Sequence, residues 1–228
     1  MTILYEDNHL IIVNKSCSEI VQGDKTGDPS LEEELKQWIK QTYHKPGNVF
    51  LGVTHRLDRP VTGVVIFAKT GKALARINEM FRKGEIQKTY FALVKNSPPA
   101  IEGRLEHFLW RNEKQNKSYP CKQEKPGSKK AILDYKLLGR SDRYFLLEID
   151  LKTGRHHQIR SQLAGIGCPI KGDLKYGYPR SNPNKGISLH AASVRFIHPV
   201  SKIELNIKAP FPEDEALWAV FKQQGCLE

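Results

Sequence analysis

The order of apolar and polar positions divides the chain into short strands and a few helices. Leu10–Val13 is an apolar, β-branched run suited to a buried strand. A helix is expected next. Asp28 is placed to cap it, Pro29 suits its first position, and Glu32 to Glu34 put acids in its first turn. Leu31, Leu35, Trp38 and Ile39 then recur at helical spacing. Residues 64–70, VVIFAKT, predict a strand. Thr70 caps a second helix with Leu74, Ile77 and Phe81 on one face, and Gly84 ends it. Residues 88–95 and 103–110 predict further strands, and 131–139 and 144–152 a pair joined through 140–143. After Thr153-Gly154-Arg155 a helix is expected with Ile159, Leu163 and Ile166 on one face. Strands near 187–195 and 202–208 and a helix near 213–224 complete the chain.

Strands fall in consecutive groups with helices between them, not in strict alternation. That predicts an α+β fold, a largely antiparallel mixed sheet with flanking helices. With no internal repeat and no long linker, residues 1–228 read as a single domain.

Charge narrows the function. The net charge of +11 favours a polyanionic partner, most commonly nucleic acid. Residues 111–130 hold seven Lys or Arg against two acids, with Pro and Gly inside. They read as a loop or hairpin tip, either touching phosphates or simply solvated. The four cysteines include no CxxC pair, which weakens zinc-ribbon and redox-pair readings. The N-terminus lacks a signal-peptide pattern and no apolar run reaches membrane-spanning length, so a cytoplasmic protein is expected.

Three stretches could carry chemistry. In His55-Arg56-Leu57-Asp58-Arg59-Pro60-Val61-Thr62-Gly63 one carboxylate lies among bases. Flanking arginines favour its ionised form, which suits a nucleophile and equally a structural ion pair. In Lys88-Thr89-Tyr90, Lys88 and Tyr90 share a strand face; Tyr90 is either a core aromatic or a ring that stacks on a base. In residues 151–167, LKTGRHHQIRSQLAGIG, His156 and Arg160 stand four apart and are expected on the same helical face, turned away from the Ile159 and Leu163 stripe. Arg160 is then a ligand-facing cation or a solvated helix charge. Adjacent His156 and His157 point apart and have no ligand at metal spacing, so no metal is expected.

Taken together, HRLD, then K-x-Y-x-A-x-V, then T-G-R-x-H-Q-I-R closely resembles the RluA-type family of RNA pseudouridine synthases. GCPIKGDLKYG (167–177) and LHAASVRFIHP (189–199) fit the same pattern, and the resemblance spans about residues 9 to 212. There are two departures. Val61-Thr62-Gly63 stands where the family usually has Thr-Ser-Gly, and Lys15-Ser16-Cys17-Ser18 where it usually has Lys-Pro-x-Gly. The S4-type domain that many relatives carry is not in this sequence, so target selection is expected to rest on the catalytic domain.

The resemblance implies isomerisation of uridine to pseudouridine within structured RNA, ribosomal or transfer, with base flipping and no cofactor. It makes Asp58 the catalytic carboxylate, attacking C1′ or taking a proton from C2′. It makes Arg160 the basic residue paired with that carboxylate, and Tyr90 the aromatic that packs on uracil. Arg56, helped by His55, would fill the space of the flipped nucleotide. Arg59, Lys88, Arg155, His156 and Gln158 would contact RNA. The expected partner is RNA alone, bound by a monomer, with no membrane and no obligate protein partner. Three other readings compete: a silent RNA binder, a ribonuclease using His55, His156 or His157, and a DNA-binding protein.

Overall fold

A computed structural model describes residues 1–24 and 27–227. The chain folds as two compact units: residues 1–86 with 192–210, and residues 87–191 with 211–228.

In the first unit, β1 (Thr2–Glu6) pairs antiparallel with β2 (Leu10–Lys15), and β2 with β4 (Thr62–Ala68). The two-residue β3 (Gly52–Val53) also pairs with β4. Later in the chain come β10 (Leu189–Ile197), which enters this unit at Ala192, and its antiparallel partner β11 (Glu204–Lys208). The apolar run of β2 is buried on both faces. Leu10 and Ile12 join Val64, Ile66 and Phe196 in one cluster, while Ile11 and Val13 point the other way and are equally buried. Helix α2 (Gly71–Lys83) lays Ala73 and Ile77 on the first cluster. Thr70 caps it and Gly84 closes it in the left-handed conformation, φ 73°, both as expected.

Helix α1 (Leu31–Thr42) starts two residues later than the expected start at Pro29. Its cap is Ser30, not Asp28. Ser30 Oγ accepts from the Glu33 amide and Glu33 returns a bond to the Ser30 amide, a reciprocal capping box. Two good cap residues lie close together, and the one with Glu three positions on wins.

In the second unit, β5 (Gln87–Val94), β9 (Phe145–Leu151), β8 (Lys129–Arg140), β6 (Glu102–Asn112) and β7 (Lys117–Cys121) pair in that order, each antiparallel to the next. The basic stretch 111–130 is therefore more than a loop tip. It completes β6, turns at 113–116 and returns as β7. Helix α3 (Gln158–Gly165) and α4 (Ala216–Gln223) complete this unit. Trp218 and Phe221 of α4 pack with Leu93 and Leu146. The α+β expectation is borne out.

Candidate active site

The residues singled out from the sequence fall into two groups. His55, Arg56, Asp58 and Arg59 belong to the first unit; Lys88, Tyr90, Arg155, His156, Gln158 and Arg160 belong to the second.

Asp58 opens a turn that its own carbonyl closes by accepting from the Val61 amide at 3.0 Å. Thr62 and Gly63 already lie within β4, so the turn ends before them. Gly63 has φ 117°, which a side chain there would resist. The turn is stapled to the end of β2. Lys15 is fully buried, and its Nζ donates to the carbonyls of Ser16 at 3.0 Å, Arg59 at 3.1 Å and Val61 at 2.7 Å. The Ser18 amide also donates to the Arg59 carbonyl, at 3.1 Å. Ser18 holds φ 72°, a left-handed conformation that residues other than Gly, Asn and Asp seldom take. Burial pulls the Lys15 pKa down to about 8 against the attraction of Glu19, Cys17 and Asp58.

Around the turn, Arg56 Nη1 reaches Gln22 Oε1 at 3.4 Å and Arg59 pairs with Asp28 at 2.7 Å. His55 accepts from the Ile66 amide through Nε2 at 3.1 Å and packs on Phe81. Accepting at Nε2 requires that nitrogen to carry no proton.

Lys15 is a residue that sequence reasoning missed. A lysine ending an apolar strand reads as a solvated terminus, and only its three carbonyl partners reveal otherwise. Replacing it with Met removes its three bonds to those carbonyls and leaves the Arg59 carbonyl with the Ser18 amide as a donor. Lys15→Met is expected to cost about 3 kcal/mol in urea unfolding and to lower the turnover of whatever chemistry Asp58 performs. Equal stability of the variant and the parent chain would refute the staple.

In the second unit, Tyr90 is nearly buried and pairs across the ladder with Ile149. Lys88, two residues before it, is half-buried. Its Nζ lies 3.8 Å from the point a Cβ on Gly154 would occupy. Burial pulls the Lys88 pKa down to about 8; Asp150 opposes this and Arg155 adds to it.

Gln158 is buried, and its amide group organises the loop before α3. Its Oε1 accepts from Thr153 Oγ1 at 2.7 Å and the Arg155 amide at 3.0 Å, and its Nε2 donates to the Ile132 carbonyl at 3.0 Å. Arg155 itself is exposed and donates from Nε to the Lys130 carbonyl at 2.9 Å.

His156 lies outside α3, so the expected shared helical face with Arg160 is not formed. His157 precedes the helix with φ 52°, a left-handed residue that breaks the turn before it. His156 instead stacks on His157 with ring centres 3.8 Å apart, and its Nδ1 lies 2.9 Å from Ser118 Oγ. Arg160 is no solvated charge. It is 5% exposed and grips Asp173, which is 1% exposed, with two parallel bonds: Nε to Oδ2 at 2.7 Å and Nη2 to Oδ1 at 2.9 Å. Its guanidinium also stands 5.2 Å from the centre of the Tyr176 ring. Among the described residues no group of three or more His, Cys, Asp or Glu could hold a metal ion.

The family model of RNA pseudouridylate synthases matches residues 9–165, a stretch that includes the Asp58 turn, the Lys88–Tyr90 strand and all of α3. The chain belongs to the RNA pseudouridylate synthase family. As an RNA pseudouridylate synthase it catalyses the conversion of uridine to pseudouridine in RNA, and the RluA-type resemblance is borne out. The synthase is 31% identical over 94% of its length to an uncharacterised RNA pseudouridine synthase of Bacillus subtilis, of which it spans 70%. It is 30% identical over 92% of its length to tRNA pseudouridine synthase C of Vibrio parahaemolyticus, spanning 89% of that protein. A third relative is ribosomal large subunit pseudouridine synthase C of Buchnera aphidicola, at 32% identity over 93% of this chain and 68% of the relative. The solved structure of human RNA pseudouridylate synthase domain containing 4 superposes with a TM-score of 0.77 at 23% identity, covering 93% of this chain and 89% of that one. That likeness establishes the common fold. No helix among the described residues is long and apolar enough to cross a membrane.

Proposed function

We propose that this synthase isomerises particular uridines in a folded ribosomal or transfer RNA, with Asp58 as the reacting carboxylate. The reaction breaks the N1–C1′ bond, joins C1′ to C5, and moves a proton from C5 to N1. It is balanced without redox, so the proposal requires no cofactor. Tyr90 packs on the uracil, and Arg160, aligned by Asp173, supplies the fixed positive charge of the third motif. His55, Arg56, Arg59, Lys88, Arg155 and His156 serve RNA binding, while Gln158 shapes the loop that carries Arg155. A uridine stacked in a helix must be extruded before its glycosidic bond is reachable, and Arg56 is exposed and planar, suited to stack in its place. In this reading the enzyme acts as a monomer in the cytoplasm.

The observation that supports it best is the stapled Asp58 turn. A surface loop needing only a solvated acid would not bury a lysine to hold the peptide groups beside it. The choice between transfer and ribosomal RNA follows the names of the relatives, which include both kinds. The test is a map of pseudouridines in total RNA from cells with and without the gene, with Asp58→Asn as the rescue control. One or a few sites should vanish and return only with Asp58 intact. An unchanged map despite expression of the protein refutes the proposal.

Lys88 adds a pH signature. Its pKa of about 8 means that the free enzyme loses this charge as pH rises through 8. A phosphate bound beside it favours the charged form, so RNA affinity should hold level below about pH 8 and fall above it, with an inflection where the fall begins. Lys88→Gln should bind more weakly at pH 7 and lose that inflection, as read by anisotropy of a labelled RNA. An inflection unchanged in the variant would assign the titration to another group.

A further inference from the structure

The chemistry above makes no use of the β6–β7 hairpin, although its turn and return strand lie in the basic segment 111–130. Trp110 on β6 and Tyr119 on β7 are register partners, so their rings share one face of the hairpin. The ring centres are 6.2 Å apart with 35° between the planes. Trp110 is 39% exposed, unusual for the largest apolar side chain. Lys117 Nζ stands 5.4 Å from the centre of the Tyr119 ring.

The opposite face of the hairpin is anchored. The Ser118 amide donates to Tyr176 Oη at 2.8 Å, Ser118 Oγ donates to the His156 carbonyl at 2.7 Å, and Pro120 lies against Gly165. The aromatic pair therefore stands on a backbone fixed from behind. In sequence, the segment 111–130 that includes Tyr119 carries six lysines and one arginine against two acids.

We propose that the Trp110–Tyr119 face is a stacking platform for an unpaired base of the RNA substrate, with the neighbouring lysines on the adjoining phosphates. The proposal rests on the RNA-modifying reading and adds which part of the RNA this hairpin holds. Any base offers a flat π face to a ring, whatever its identity, and cations beside the rings neutralise the backbone. Paired bases are already stacked on each other, so the platform selects single-stranded nucleotides. A cross-strand aromatic pair also steadies a hairpin, and that role alone would not distinguish one RNA from another.

The experiment uses the full chain and two fluorescein-labelled RNAs, a 12-nucleotide single strand and a 12-base-pair duplex. Binding is read by anisotropy for the parent chain, Trp110→Ala, Trp110→Phe and Tyr119→Ala, with thermal melting run alongside. Trp110→Ala is expected to weaken single-strand binding about tenfold, the loss of one stacked base. Duplex binding should change less than about twofold, because phosphate contacts carry it. Trp110→Phe should recover most of the loss. The single strand should also quench tryptophan emission in the parent chain more than in Trp110→Phe. Affinities unchanged in both alanine variants, with RNA binding and pseudouridine formation intact, would overturn the platform and leave the synthase reading standing. Equal losses on both RNAs would also overturn it, as general disruption of the hairpin. A parent chain that binds neither RNA would overturn the platform together with the RNA reading beneath it.

Discussion

Replacing Asp58 by Asn is expected to reduce pseudouridine formation by more than about 10⁴-fold, the scale seen when an enzyme loses its reacting group. The amide keeps the shape of the carboxylate and removes its charge. It can neither attack C1′ nor take a proton from C2′, so the expectation holds for both routes. The turn itself should survive, because it is built from backbone: the Asp58 carbonyl accepts from Val61, and Lys15 holds the carbonyls of Arg59 and Val61. RNA affinity should therefore stay within about threefold, since the phosphate contacts that dominate it are untouched. The measurement is release of tritium from RNA carrying [5-³H]uridine, because C5 loses its hydrogen when it joins C1′. A variant that keeps more than about a tenth of the parent rate would remove Asp58 from the chemistry.

The second large effect is on stability. Asp173→Asn should destabilise the fold by about 3–5 kcal/mol, because it takes a bidentate carboxylate from a buried guanidinium. Both carboxylate oxygens accept from Arg160, and both residues are almost fully excluded from water. An exposed pair would contribute far less, and the Arg104–Asp134 bridge on the same unit serves as a control. Its partners are 60% and 34% exposed, and Asp134→Asn should cost no more than about 1 kcal/mol. The informative variant is the double exchange Arg160→Met with Asp173→Leu. Replacing a buried ion pair with apolar side chains of similar size is often neutral for stability. Stability should then largely recover while pseudouridine formation does not. Recovery of both would make the pair mere scaffold and remove Arg160 from the mechanism. Urea unfolding and tritium release on the same preparations separate the two outcomes.

Much of this fold is legible one residue at a time. The Thr70 cap and Gly84 stop of α2 obey local rules, and so does the apolar run of β2. Where two local signals compete, the reciprocal one wins. Asp28-Pro29 is a reasonable helix start, yet Ser30 with Glu33 makes a reciprocal cap that neither residue of the first pair can match. The start of α3 was misplaced for a related reason. Nothing in the composition of His156-His157 says that His157 will take a left-handed conformation; that follows from His156 and His157 being held by Ser118 and Tyr176, some 40 residues upstream and 20 downstream in the chain. Lys15 and Asp173 were missed as participants because a lone charge has no visible partner along the chain.

What the sequence determined by itself is the residue types and order of three motifs, an acid among bases, a Lys-x-Tyr strand, and a Gly-Arg-x-His-Gln-Ile-Arg segment, and it was their resemblance to the RluA-type family that pointed to pseudouridine synthesis. These are choices of residue type at short spacing, and chemistry constrains them directly. The tertiary structure decided which charges are buried and what holds them. Lys15 became the staple of the Asp58 turn, Gln158 a clamp on the Arg155 loop, and Arg160 one half of a buried pair with Asp173. It also turned a basic stretch into a hairpin with an aromatic face. The physical reason is the same throughout. The cost of burying a charge, and the gain from meeting its partner, depend on distances between residues far apart in the chain, and those distances exist only after folding.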